Sequence, residues 1–188
     1  MKHVFKRLFD IAFSLLAILF LSPFFLVIPI IIKISDKGPA FFKHQRIGKN
    51  EKPFVFYKFR SMKLNADPYG LSPDSFKDPR LIKCGRFLRE FSLDELPQFF
   101  NVLKGDMSIV GPRPLYPIQI AEMNDYHKQR LNVKPGITGF SQIYMRSSLT
   151  TKESLDMEVD YVKTQSFWLD IKIIFKTIAV VLGKKGVY

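Results

Sequence analysis

The densest run of chemistry-bearing residues in this 188-residue chain extends from Gly85 to Pro114, GRFLREFSLDELPQFFNVLKGDMSIVGPRP. Within it, Ser92-Leu93-Asp94-Glu95 has the form of a capping box, a serine N-cap followed three residues later by a glutamate. That spacing predicts Asp94 and Glu95 in the first turn of a helix. Pro97 agrees, since proline is tolerated only near a helix start. A helix N-terminus favours ionised carboxylates through its dipole and free amides. An ionised, fixed aspartate can act as a nucleophile. The adjacent glutamate can hold a divalent ion that bridges phosphate oxygens. First-turn acids usually do no more than cap their helix, so the pair alone decides little.

The surrounding charge shifts the balance. Arg86 and Arg89 precede the acids at helical spacing, and Arg113 sits between Pro112 and Pro114, a turn stiffened by its prolines. Lys58 and Arg60 flank Phe59, and Gln45-Arg46 precede Gly48. Guanidinium groups suit bidentate contact with phosphate, and a diphosphate would need several. The competing reading gives these cations to a membrane-facing basic surface, to which Arg113 in its Pro-Arg-Pro frame fits least.

The elements that must position these residues begin with a membrane segment. The chain is 47% hydrophobic and carries a net charge of +12, a combination suited to the anionic face of a bilayer. No nucleic-acid motif accompanies the charge, so nucleic acid is not an expected partner. A lone Cys84 and three scattered histidines (His3, His44, His127) exclude an internal disulfide and zinc-finger spacing. Ile11 to Ile32 is free of charge and, as a straight helix, would be about 33 Å long, enough to cross a hydrocarbon core. Yet basic residues lie on both sides: Lys2, Lys6 and Arg7 before it, Lys33 and Lys37 after it. Both ends are therefore expected on the cytoplasmic side. Ser22-Pro23 falls mid-run, where proline removes a helix hydrogen bond and bends the axis. A re-entrant helix broken at Ser22-Pro23 satisfies both facts, and Pro29 offers a second bend.

Beyond it the pattern is that of an α+β domain, mostly helical with a few short strands. Residues 1–37 are expected as the membrane unit and 38–188 as the catalytic unit. Ala40 to Lys43, Phe54 to Phe59 and Ser141 to Tyr144 read as strands, with a turn at Gly48 to Glu51. Asn65 to Pro79 is a loop rich in breakers. Helical spacing marks Leu81 to Phe91, Leu96 to Leu103 and Pro117 to Leu131. Phe167 to Leu182 is apolar but carries Asp170, Lys172 and Lys176, which predicts an amphipathic helix lying at the membrane interface.

Ordered motifs along nearly the whole chain carry a resemblance. They include Lys6-Arg7-Leu8-Phe9-Asp10, Ser22-Pro23, Gln45-Arg46-Ile47-Gly48 and Tyr57 to Met62. Ser92 to Gln98, Asn101 to Ser108, Val110 to Pro114, Pro135 to Gly139 and Ser166 to Asp170 continue the series. The sequence resembles the bacterial sugar transferase family, the monotopic phosphoglycosyl transferases of small, single-domain type. The resemblance implies a catalytic domain on the cytoplasmic face of the bacterial inner membrane. It implies a two-step reaction in which Asp94 attacks the β-phosphate of a UDP-sugar, releases UMP and carries a phosphosugar. A polyprenyl phosphate, expected to be undecaprenyl phosphate, then accepts it, the first membrane step of glycoconjugate assembly for downstream glycosyltransferases. Glu95 is expected to bind Mg²⁺ and Arg89 and Arg113 to hold phosphate, with Pro112 and Pro114 meeting the nucleotide. Lys58, Arg60 and Arg86 join them as substrate-binding candidates. The family pattern departs at Met145-Arg146, where Gly-Arg is usual, and at Glu158, where aspartate is usual and Asp156 and Asp160 lie close by. Arg146 and Glu158 are carried over as substrate-binding residues. Two other classes compete: a non-catalytic membrane adaptor binding anionic lipid, for which Asp94 and Glu95 are dispensable, and a phosphohydrolase that uses water as acceptor. Nothing in the residue pattern names the sugar.

Overall fold

The computed structural model describes residues 2–67, 77–144 and 151–183. The apolar run forms two helices, α1 (Lys2–Phe20) and α2 (Ser22–Ser35), inclined to one another by 61°. Pro23 stands in the first turn of α2, where its missing N–H is not needed, while its ring would clash with the Leu19 carbonyl in a continuous helix. The break therefore falls at Leu21, beside the expected Ser22-Pro23, and α2 continues through Pro29. No single described helix is long and apolar enough to cross a membrane, although the bent pair passes that test together. Leu19, Phe20, Leu26 and Ile34 on this pair are each more than two-thirds exposed.

Polar contacts tie α1 to the rest of the chain. Asp10, 2% exposed, accepts from Ser108 Oγ and the Ile109 amide, both at 3.0 Å. Lys6 donates to Asp170 at 2.5 Å and to the Val110 carbonyl at 3.1 Å. Arg7 donates to the carbonyls of Val102 and Leu103, at the C-terminal end of a later helix where positive charge is favoured.

Strands β1 (Phe41–Ile47) and β2 (Pro53–Phe59) form an antiparallel hairpin in register from Phe41↔Phe59 to Ile47↔Pro53. Its turn holds Asn50 and Glu51 at positive φ. Next come α3 (Gly85–Glu90), α4 (Gln98–Lys104) and β3 (Ser108–Val110). The stretch Pro117 to Leu131 is not one helix. It divides into α5 (Pro117–Ala121), α6 (Asp125–Lys128) and a 3-10 turn over Gln129–Asn132, because Asn124 caps a new helix by accepting from the His127 amide. Strand β4 (Gly136–Thr138) pairs in parallel with β3. Ser141 to Tyr144, expected as a strand, belongs to helix α7 (Phe140–Tyr144). Five residues, Phe-Ser-Gln-Ile-Tyr, are too few for periodicity to separate a short helix from a strand.

Helices α8 (Thr151–Thr164) and α9 (Phe167–Leu182) are the last elements among the described residues. Ser166 caps α9 through the Leu169 amide. α9 covers the residues expected for a helix: Asp170, Ile173 and Ile174 are buried, whereas Trp168 and Phe175 are 76% and 69% exposed. Two apolar clusters support this mixed, mostly helical fold. One joins Phe56, Val102, Met107, Val110, Tyr161 and Ile173. The other joins Ile28 and Ile32 of α2 to Phe59, Ile82, Leu88 and Leu96, so α2 packs directly beneath the segment that carries Asp94.

Candidate active site

The Asp-Glu pair lies where α3 gives way to α4, but not as a capping box. Ser92 adopts a left-handed conformation (φ 53°, ψ 24°) and its side chain makes no capping bond. An N-cap needs extended backbone, whereas a left-handed residue closes the preceding helix. Ser92 does the latter, its amide donating to the Arg89 carbonyl at 3.1 Å. Leu93–Glu95 then form a 3-10 turn, and α4 begins only at Gln98 with Pro97 as its N-cap. The carboxylates consequently precede the α4 N-terminus, and burial rather than the helix dipole dominates Asp94.

Asp94 is 4% exposed. Burial, opposed by the Lys58 ammonium and reinforced by Glu95, pushes its carboxyl above the usual range. Lys58 comes from β2 and lies 2.6 Å from Glu95 Oε1 and 3.7 Å from Asp94 Oδ2. The buried Asn101 of α4 fixes β2 at this distance: it accepts from the Tyr57 amide at 3.1 Å and donates to the Val55 carbonyl at 2.6 Å. One side chain thus ties the strand carrying Lys58 to the helix that follows Asp94.

A cavity of about 310 Å³ opens on Asp94 and is lined by Lys58, Arg60, Arg89 and Arg113 of the expected set. Pro112 and Pro114 are buried on either side of an exposed Arg113. Arg60 also reaches away from the cavity, donating to the Asp36 carboxylate at 2.8 Å and to the Asp36 carbonyl at 2.6 Å. It therefore anchors the end of α2 as well as edging the site. Arg86 is exposed on α3 and is not among the cavity-lining residues. Arg146 lies outside the described residues.

Glu158 does not face substrate space. It is 3% exposed and accepts from the Arg113 amide at 3.0 Å, from Ser141 Oγ at 3.2 Å and from Arg130 Nε at 2.6 Å. Its oxygens are taken by internal donors, so Glu158, expected among the substrate-binding residues, here contacts the backbone of Arg113. Asp156, its alternative, pairs with His127 at 2.9 Å.

Sequence reasoning did not single out Arg130, Tyr116 or the role of Arg46. The Arg46 guanidinium lies 3.2 Å from the centroid of the Tyr116 ring, donates to the Pro114 carbonyl at 3.4 Å, and lines the cavity with Tyr116. Burial pulls its pKa down to about 10, which leaves it charged at neutral pH. Its Nε is buried without a partner. The alternation of β1 places Arg46 on the same face as Phe42, the residue paired with Lys58, four pairs farther along the ladder, a signal readable only once the hairpin register is known.

The donor set can be tested against a divalent ion. Among the described residues no cluster of three or more His, Cys, Asp or Glu could cage a metal. The hard oxygens of Asp94 and Glu95 suit Mg²⁺, which is ordinarily held by one or two carboxylates plus substrate phosphates. The two carboxylates therefore fit an ion that arrives with a diphosphate, and Glu95 is the more exposed of the two.

A family model described as bacterial sugar transferase matches residues 1–184. The undecaprenyl-phosphate galactose phosphotransferase of Salmonella typhimurium is 42% identical over 97% of this chain and 41% of its own length. The UDP-glucose:undecaprenyl-phosphate glucose-1-phosphate transferase of Escherichia coli is 40% identical over 100% of this chain and 42% of its own. The chain thus spans about two-fifths of these two relatives. An uncharacterized sugar transferase of Bacillus subtilis, EpsL, is 40% identical over 98% of this chain and 90% of its own length.

Proposed function

The chain belongs to the bacterial sugar transferase family, and from that premise we propose that it transfers a sugar-1-phosphate from a UDP-sugar to a polyprenyl phosphate, undecaprenyl phosphate in bacteria, releasing UMP. The observation that carries this reading is the buried Asp94 beside Lys58, at the floor of a cavity edged by Arg46, Arg89 and Arg113. The names of the Salmonella and Escherichia coli relatives supply the donor and acceptor classes.

In the first step an Asp94 carboxylate oxygen attacks the β-phosphorus of the donor. The bond from that phosphorus to the bridging oxygen breaks, and UMP leaves with the electron pair. Arg89 and Arg113 bind the phosphate oxygens whose charge the reaction redistributes, and cations already placed at the cavity do this at little reorganisation cost. Lys58 opposes the rise that burial imposes on the Asp94 pKa, and it holds Glu95. Glu95 would hold Mg²⁺, which when bound would supply further charge neutralisation on the diphosphate. In the second step an oxygen of the lipid phosphate attacks the phosphosugar and the Asp94 carboxylate departs, so the enzyme returns to its starting state. Pro112 and Pro114, buried on either side of Arg113, frame the turn that meets the nucleotide, and Arg86 and Arg146 are proposed as further substrate-binding residues.

The bent α1–α2 pair is proposed as a re-entrant hairpin, with Lys6 and Arg7 at one end and Lys33 and Lys37 at the other on the cytoplasmic face of the inner membrane. Trp168 and Phe175 of α9 would then rest at the same interface. In this reading residues 1–37 form the membrane unit and 38–188 the catalytic unit, and later glycosyltransferases consume the lipid-linked product.

The test is UMP release from a panel of UDP-sugars with Mg²⁺, with and without undecaprenyl phosphate. The reading expects turnover that requires the lipid. Turnover with water alone would support a hydrolase, and no turnover with any donor would support an adaptor that only binds anionic lipid.

A further inference from the structure

We propose that Arg130 and Glu158 act as positioning residues that set Arg113 in the cavity by holding both polar groups of its backbone. The Arg113 amide donates to Glu158 Oε1 at 3.0 Å, and the Arg113 carbonyl accepts from Arg130 Nη2. The two clamping side chains are joined to each other, Arg130 Nε and Nη2 lying 2.6 and 2.5 Å from Glu158 Oε2. Their side chains are 1% and 4% exposed, and Ser141 supplies a second donor to Glu158 Oε1. Every contact in this chain of bonds ends on Arg113 or on a group that holds it.

The arrangement has a physical reason. Pro112 and Pro114 carry no N–H, so Arg113 offers the one amide in this turn by which it can be held. The turn also sits on a tight frame, with the Gly111 amide bonded to the Thr138 carbonyl and the Gly136 amide to the Pro112 carbonyl, both at 2.9 Å. Those bonds secure the residues before Arg113. Arg130 and Glu158, from the 3-10 turn after α6 and from α8, secure Arg113 itself, while its side chain remains exposed toward the cavity. A buried ion pair adds little to stability over an apolar filling of equal volume, so its use here is geometric. An arginine meant for bidentate phosphate contact needs its origin fixed to a fraction of an ångström.

The inference rests on the proposed donor reading, and its test separates the two. Transfer kinetics would be measured for Arg113→Ala, Arg130→Gln, Glu158→Gln and the double variant Arg113→Ala/Arg130→Gln, with hydrogen exchange followed over residues 110–116. The expectation for Arg130→Gln and Glu158→Gln is a rise in donor KM, with kcat/KM reduced about 10- to 100-fold as for small misplacements of a binding group. In the Arg113→Ala background Arg130→Gln should cost less than about 2-fold more, the mark of residues acting through one another. Additive losses would overturn the proposal. If Gln variants fail to fold, Arg130→Lys keeps the charge beside Glu158 but loses the second arm to Arg113, and the same pattern is expected. Should the wild-type protein transfer nothing, the donor reading falls while the clamp is still decided by exchange. Protection lost at 110–116 but kept in α4 upholds it, and unchanged protection overturns it.

Discussion

The Lys58 ammonium stands between two adjacent carboxylates, 2.6 Å from Glu95 and 3.7 Å from Asp94. Asp94 is buried, and burial together with the neighbouring Glu95 raises its pKa, while Lys58 is the strongest influence lowering it. A nucleophilic carboxylate must be ionised, so Lys58 favours the reactive form rather than merely adding to the basic surface. Lys58→Met should therefore raise the Asp94 pKa further and move the acid limb of the rate–pH profile upward. A loss of about 100-fold or more at neutral pH, the scale of removing one preorganised charge-stabilising group, should shrink as pH rises. A loss equal at all pH values, or a loss of vesicle binding alone, would place Lys58 on the membrane surface instead.

The same burial predicts that the site is a weak point in the fold. With the Asp94 pKa raised in the folded protein, the folded state holds more protons than the unfolded one between the ordinary carboxylate pKa and the raised value. Stability contributed by this group therefore falls as pH rises through that window and stays low above it. Asp94→Asn removes the buried charge and should raise Tm at neutral pH while activity is lost, and the gain should vanish below the ordinary carboxylate pKa. A Tm lowered by Asp94→Asn at neutral pH would show that the carboxylate stabilises the fold.

Metal removal should affect catalysis and not folding. Because no cluster of three or more ligating side chains occurs among the described residues, the ion is expected to bind with the diphosphate. EDTA should abolish transfer yet leave the Tm of the nucleotide-free protein within about 1 °C, and Mg²⁺ should raise Tm only when a UDP-sugar is present. A Tm that depends on Mg²⁺ alone would reveal a resident site.

Gly111 is set where a side chain has no room. A Cβ there would come within 2.3 Å of the Lys134 carbonyl oxygen and 2.8 Å of the Gly136 amide nitrogen, both backbone atoms. Gly111→Ala must push β3 and β4 apart, and overpacking of this kind costs typically about 1–3 kcal/mol. Denaturant unfolding should show a loss in that range or above, with donor KM rising because Arg113 lies two residues on. A neutral substitution would mean the β3–β4 junction yields freely.

Local signals in the chain were enough to reveal the hairpin centred on Gly48 to Glu51, the break beside Ser22-Pro23, the Phe167–Leu182 helix and the grouping of Asp94, Lys58, Arg89 and Arg113. Each rests on proline and turn chemistry, periodicity or a dense motif. The start of α4 was misplaced because Ser92-x-x-Glu95 satisfies the capping pattern, whereas the left-handed Ser92 closes α3. Ser141 to Tyr144 offered too few residues to separate strand from helix. Arg130 and Glu158 meet Arg113 across 17 and 45 residues of sequence, so no local pattern could pair them. Arg46 over Tyr116 likewise depends on tertiary register.

The central claim is that Asp94 becomes covalently loaded, and the most direct measurement is intact-protein mass after incubation with UDP-sugars and Mg²⁺ in the absence of lipid acceptor. The account predicts a mass increase equal to one phosphosugar on the wild-type chain, absent from Asp94→Asn and discharged on adding undecaprenyl phosphate. Lipid-dependent UMP release with no adduct at any time, or an adduct that persists in Asp94→Asn, would contradict it.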